Sequence, residues 1–492
     1  MIRLGSSRLP DIGRHVSVPA YDRAQVRTGM VHFGVGGFHR SHQAVYLDDL
    51  MNAGKALDWG VTGIGLLPQD RRMAETLSAQ DCLYTLVVKE PDGALRPRVV
   101  GSIVDYLFAP DDPEAVLARM VDPATRIVSL TITEGGYHAN QATGEFDADD
   151  PAIQSDLRAG AVPSTAFGFL TEALARRRAQ RVPPFVVMSC DNIQGNGEVA
   201  HRMIAAFARL RDPDLGDWIE GHVSFPNSMV DRITPVTTDT DRALLAERFQ
   251  IEDGWPVVCE PFTQWVVEDR FPEGRPPLED VGVHVVDDVR PYELMKLRLL
   301  NASHQAMAYL GYLSGHRYAH EVCTDPLFVD FLLGYMHQEA TPTLERVPGV
   351  DLDRYSHQLI ERFANRHIRD TLVRLCAESS DRIPQWLVPV IRHRLDQGGE
   401  FRRAALVVAA WARYAEGVDE SGQPIEVVDR RRDDVMARAR RYGEDPLAFL
   451  REPDLFGDLV ENSAFTSEYL RALRSLHDRG SRATLEQWPH QS

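Results

Sequence analysis

MVHFGVGGFHRSH, residues 30–42, passes from an apolar run into a glycine-rich turn and then into a helix-like segment, HQAVYLDDLMNAG. An apolar strand, a Gly-x-Gly turn and a helix form a nucleotide-binding unit, because glycines let the backbone turn tightly and approach a pyrophosphate at a helix N-terminus. Gly34, Val35, Gly36, Gly37 and Phe38 begin the G-x-G-x-x-G fingerprint, but its sixth position is His39 instead of glycine. Arg40, next along, is a candidate phosphate partner. Taken alone, this is an ordinary turn; its place between a first strand and a helix selects the nucleotide reading.

Working outward, the first half of the chain repeats the same texture. WGVTGIGLL (59–67), LYTLVV (83–88), RIVSLTIT (126–133), PFVVMS (184–189) and, more weakly, HVSF (222–225) read as strands between helix-like segments such as AFGFLTEALARRR. Several are unbroken Val/Ile/Leu runs, the pattern of parallel strands covered on both faces. A Rossmann-type doubly wound α/β domain is expected over residues 1–285. After VHVVDDVRP the period changes to about 3.6 residues, so residues 286–492 are expected to form a mainly α-helical domain that binds substrate.

Ligands of open α/β sheets bind beyond the carboxyl ends of the strands. The residues expected there are GVGGFHRSH, PQDRR, EGGYH, CDNIQGNG and PNSMVDR. Each is a plausible turn, but their shared position after strands points to one crevice, with Thr133 and Glu134 on its cofactor side. Asp70 lies further from the glycines than the ~20 residues usual for the ribose acid, yet it stands at the end of the second strand. A carboxylate there accepts from ribose hydroxyls and repels a 2′-phosphate, which favours NAD. Arg71 and Arg72 follow it and keep NADP open.

Bulk properties narrow the class. With 492 residues and 43% hydrophobic content the chain has material for two cores. A formal net charge of -18 argues against nucleic acid or an anionic membrane as partner. Five dispersed cysteines without a C-x-x-C pair suit reduced thiols in a cytoplasm. The start, MIRLGSSRLPDIGRH, has no apolar signal core, and the run AALVVAAW is far short of the ~20 residues that span a bilayer. A soluble cytoplasmic protein is expected.

The helix-like stretch PYELMKLRLLNASHQAMAYL, residues 291–310, carries polar groups on one side. At roughly 100° per residue with Lys296 at zero, Glu293 falls at about 60°, His304 at about 80° and Asn301 at about 140°. Singly, these read as a snorkelling lysine, a bonded amide and a satisfied core histidine. Together with two leucines in the same arc they describe a cavity wall. The chemistry that fits is alcohol oxidation: Lys296 as general base, Asn301 and Asn192 as donors to the developing alkoxide, His304 on a neighbouring hydroxyl, and Glu293 passing the proton to solvent. Tyr292-x-x-x-Lys296 offers a competing tyrosine base, as in short-chain dehydrogenases, but those enzymes are shorter and begin with a different glycine turn. No Cys/His/Glu set has catalytic zinc spacing, so no metal is expected.

GVGGFHRSHQAVYLDDL, SLTITEGGYH, MSCDNIQGNG, FPNSMVDRITP and KLRLLNASH resemble the polyol-specific long-chain dehydrogenases, nearest the branch acting on mannitol. The resemblance spans most of the chain. It implies a Rossmann-type domain followed by a helical domain, and a metal-independent enzyme, often monomeric, that interconverts a polyol and its 2-ketose with a nicotinamide cofactor. It also implies Lys296 as base, Asn192 and Asn301 as the oxyanion hole, and His304 on substrate, with Arg374 and, more weakly, Asp231 holding distal hydroxyls. Mannitol and fructose are the leading pair, with arabinitol or sorbitol beside them. A monomer or weak oligomer is expected. Hexuronate reductases share KLRLLN-x-SH and are the alternative within the family; a non-catalytic sugar or nucleotide sensor is the alternative outside it.

Overall fold

The computed structural model describes residues 1–139, 144–158 and 160–488. The chain divides into two compact units, Met1–Val289 and Arg290–Ser492.

The first unit is organised by a five-stranded parallel sheet: β1 (Thr28–Phe33), β2 (Gly60–Gly65), β3 (Ile103–Phe108), β4 (Ile127–Leu130) and β5 (Val186–Ser189). The strand order is β3-β2-β1-β4-β5. The chain winds outward from β1, then returns to its other side, so the loops after β1 and β4 flank the point where the order reverses, the place at which doubly wound sheets bind ligands. Successive residues face opposite ways. Val31, Phe33, Val128 and Leu130 join one apolar cluster, while Met30, Ile127, Val186 and Met188 join another. Burial on both faces is why these strands read as unbroken apolar runs.

Three strand expectations need correction. LYTLVV forms Tyr84–Lys89, but this strand pairs with Leu95–Val100 and Val257–Cys259 in a separate small sheet. The third strand of the main sheet is instead IVDYLF, unremarked in the sequence because it is an edge strand. Its residues beyond Ile103 are only part-buried, and Asp105 interrupts it to pair with Arg119 at 3.3 Å. HVSF is not a strand. His222 closes the helix Pro213–His222, and SMVD within the supposed turn forms the strand Ser228–Asp231. The Asn196 side chain fixes this strand's start, donating to the Ser228 carbonyl at 2.7 Å and accepting from its N–H at 2.9 Å.

The second unit is helical. Arg402–Ala415 is buried on nearly all sides and packs along Ser463–Arg479, which accounts for AALVVAAW as a core helix. Among the described residues no helix is long and apolar enough to cross a membrane. The polar stretch lies on Arg290–Met295, Lys296–Asn301 and Ala302–Leu313, the middle segment of which is a π-helix. A second π-segment, Tyr335–Ala340, packs against it. The Tyr335 hydroxyl donates to the Arg298 carbonyl at 3.1 Å, taking up an acceptor in the widened turn.

Candidate active site

In the first unit the turn after β1 is fixed by Gly34. Its φ is +88°, and a Cβ there would lie 2.0 Å from the Thr131 carbonyl oxygen, so no other residue fits. At Gly36 the nearest atom to an added Cβ is the Gly34 carbonyl oxygen at 3.8 Å. That open approach to backbone is what a pyrophosphate requires. Val35 and Phe38 turn their side chains into the protein: Val35 is buried and Phe38 stacks on His42 at 4.9 Å. Val35 therefore offers a ligand only its backbone, while Phe38 stays part-exposed.

His39 explains the missing glycine. It is buried and stacks on His32 of β1, with ring centroids 3.5 Å apart, so two imidazoles fill the strand–helix contact that a glycine otherwise closes. Thr131 Oγ1 donates to the Gly34 carbonyl at 2.7 Å and therefore accepts from His32 Nε2–H at 2.9 Å, while the Ser129 hydroxyl donates to Nδ1 at 2.8 Å. This network needs a neutral ring, and burial pushes the His32 pKa down to about 3; burial also holds His39 well below its ordinary value. Between pH 6.5 and about 3 the unfolded chain binds protons that the folded chain excludes, so stability falls as pH falls across that window. The slope for one such group reaches about 1.4 kcal/mol per pH unit. Urea midpoints between pH 7.5 and 5 are expected to decline less steeply for His32→Asn than for the parent; equal slopes would remove His32 as the cause.

Arg40 corrects an expectation. It is 1% exposed, donates to the carbonyls of Trp255 and Gly36, and lies 5.2 Å from the Tyr84 ring. Its charge serves the inside of the loop and is not available to a phosphate. At the end of β2, Asp70 Oδ2 accepts from the N–H groups of Leu66 and Leu67, both at 2.9 Å. The acid thus builds its own turn. Arg71 is engaged with Asp111 at 2.6 and 3.1 Å, and the Arg72 guanidinium lies 4.9 Å over the Trp255 ring.

The ends of β4 and β5 are tied by Asp191, the residue before the expected donor Asn192. Its carboxylate accepts from Thr133 N–H at 2.8 Å, Ile132 N–H at 3.1 Å and the Tyr137 hydroxyl at 2.8 Å. Burial raises its pKa to about 6, and those three donors oppose the rise. Thr133 has φ +61°, a strained conformation for a β-branched residue that the Asp191 clamp holds in place. Thr133 and Glu134 are exposed beyond it, and Asn192 is exposed directly after Asp191. Asp231 is buried at the end of its strand.

In the second unit Glu293, Lys296 and Asn301 are all buried, and His304 packs against the Phe363 ring at 4.6 Å. The sequence reads this run as regular α-helix with Glu293, Lys296, Asn301 and His304 all on one side. In the structure its middle segment is a π-turn, which closes hydrogen bonds from i to i+5, the spacing of Lys296 and Asn301. Tyr292, the competing base, donates its hydroxyl to the Pro348 carbonyl at 2.9 Å, and burial raises its pKa. Arg374 lies on the short helix Leu372–Cys376, which packs on Ala302–Leu313, and Gln305 donates to the Leu375 carbonyl at 3.0 Å. The Arg374 guanidinium makes a bidentate pair with Asp370 at 2.6 and 2.7 Å.

Comparison with known proteins comes to the same two halves. A family profile described as the mannitol dehydrogenase Rossmann domain matches residues 28–280, and one described as the mannitol dehydrogenase C-terminal domain matches residues 288–477. The chain is 48% identical to a mannitol 2-dehydrogenase of Aspergillus fumigatus over 99% of both chains, and 46% identical to one of Pyricularia oryzae over 98% of both. Among solved structures, a Pseudomonas fluorescens mannitol 2-dehydrogenase in ternary complex with NAD and D-mannitol superposes with a TM-score of 0.89, at 46% identity and 99% coverage of each chain. A substrate-free D-sorbitol dehydrogenase gives 0.91 at 36% identity, over 98% of this chain and 100% of the other.

Proposed function

This chain belongs to the mannitol dehydrogenase family, and from that premise we infer that it interconverts a polyol and its 2-ketose with NAD, mannitol and fructose being the leading pair. The observation that supports the mechanism is a buried lysine and a buried amide at the first and last residues of the π-turn Lys296–Asn301. Held at the glycine turn of residues 34–38, NAD would supply the hydride acceptor for the carbinol carbon. Lys296 in its neutral form takes the hydroxyl proton, a role for which a lysine withdrawn from water is suited. Asn301 and Asn192 donate to the substrate oxygen as its negative charge grows. Glu293, one turn before Lys296, relays the proton outward, and His304 holds an adjoining hydroxyl.

Arg374 and Asp231 are the candidates for the distal hydroxyls. The Asp370 pair bears on the choice between polyol and hexuronate, because it already neutralises the Arg374 guanidinium. A uronate carboxylate would have to displace Asp370 or meet its charge, whereas neutral hydroxyls accept from the remaining N–H groups. That favours the polyol.

The test is turnover of NADH with fructose, xylulose, fructuronate and tagaturonate, and of NAD with mannitol, arabinitol and sorbitol, each with a chelator present. Fastest turnover on the fructose–mannitol pair is expected. No turnover on any of them would leave the sensor reading, and a preference for either uronate would overturn the polyol assignment. Because Arg71 and Arg72 are occupied elsewhere, NAD is expected to be preferred to NADP, and Asp70→Ala is expected to narrow that preference; an unchanged NAD-to-NADP ratio of kcat/KM would count against Asp70 as the selecting group.

A further inference from the structure

A second chemical grouping lies in the helical unit and plays no part in the scheme above. The π-segment Tyr335–Ala340 carries His337, and the helix Leu352–Phe363 carries Asp353 and His357. Asp353 and His357 are four apart, so both project from one face of their helix. One ligand atom from each of the three residues lies within 4.8 Å of the others. The two imidazole rings are 5.5 Å apart, and Asp353 reaches toward both, at 3.4 Å from His337 Nε2 and 3.9 Å from His357 Nδ1.

Two details distinguish this arrangement from a plain surface ion pair. His337 Nε2 is shielded from solvent and makes no hydrogen bond, a costly state for a buried polar atom unless something binds it. His357 Nδ1 donates to the Asp353 carbonyl at 3.0 Å, so the lone pair left for a metal is on Nε2. A histidine that donates one ring N–H to a backbone carbonyl while presenting its other nitrogen has the form of a metal ligand with its supporting contact. Two imidazoles and a carboxylate suit zinc-class divalent ions, with solvent completing the shell.

We propose that His337, Asp353 and His357 form a binding site for a divalent transition metal of the zinc class, separate from the reacting groups, which staples helix Leu352–Phe363 to the second π-segment. The staple has a reach beyond its ligands. The same helix ends in Phe363, whose ring lies against His304, and the second π-segment holds the Arg298 carbonyl through Tyr335. Metal at one end of this frame stiffens the supports of the polar stripe at the other. The assignment does not depend on which polyol, or any polyol, is the substrate.

The experiment is equilibrium dialysis of the full chain against zinc chloride, with thermal melts at the same zinc concentrations, for the parent, His357→Ala, and His337→Ala. His357 is exposed, so its removal leaves the apoprotein melting temperature unchanged. The parent is expected to take up one zinc more than His357→Ala and to melt several degrees higher with zinc than without, an increase that both variants lose. Magnesium, which avoids imidazole, is expected to raise no melting temperature. Equal zinc uptake and equal stabilisation in parent and variants would overturn the site, as would the absence of zinc uptake by the parent at micromolar metal.

Discussion

Lys296→Ala is expected to lower kcat by roughly 10²–10⁴-fold, the range a positioned general base contributes, while the fold and cofactor affinity persist. The side chain is buried on the first residue of the π-turn, so truncation removes the proton acceptor and leaves the helix intact. Tyr292→Phe is the companion measurement. Its hydroxyl donates to the Pro348 carbonyl, so its loss costs about 1 kcal/mol of stability and little turnover. Steady-state rates for the two variants decide the matter. A Tyr292→Phe enzyme that fails while Lys296→Ala works would transfer the base to the tyrosine.

The second large effect is expected at the glycine turn, where two neighbouring substitutions should separate. Gly34→Ala forces a side chain into the left-handed region, which costs roughly 1–2 kcal/mol, and drives its Cβ to 2.0 Å from the Thr131 carbonyl. The loop must move, so both melting temperature and NADH affinity should drop, the latter beyond detection. Gly36→Ala meets nothing nearer than 3.8 Å in the protein. It should leave the melt unchanged and weaken NADH binding by on the order of tenfold or more, about 1.4 kcal/mol, because its methyl stands where the pyrophosphate would approach. Fluorescence titration with NADH alongside thermal melts reads both. If Gly36→Ala bound NADH as the parent does, the dinucleotide would not approach the turn at that residue.

The parts legible in the sequence were those whose physics is local. β1, β4 and β5 announce themselves as apolar runs because both sheet faces are covered, and Arg402–Ala415 does so because it is enclosed. β3 was invisible since an edge strand tolerates Asp105, and Ser228–Asp231 was hidden inside a segment that looked like turn chemistry. Arg40 was misplaced for a similar reason. A cation after a glycine loop suggests a phosphate, and nothing in the letters tells that Trp255, far along the chain, supplies a carbonyl for it. Asp191 was written in the very motif that directed attention to Asn192. Its role depends on Ile132, Thr133 and Tyr137, which only folding brings beside it.

The π-turn has a consequence for how relatives of this chain should be compared. It is an α-helix with one residue too many, accommodated where the second π-segment packs against it. What relates the lysine to the asparagine is therefore a count along the chain as much as the two side chains themselves. A relative with one residue fewer between them would keep both letters four apart on one face of a plain α-helix, but would lose the widened turn whose Arg298 carbonyl Tyr335 engages. Insertions and deletions within residues 296–301 thus reshape the turn that carries the proposed base and amide, even when every polar residue is retained.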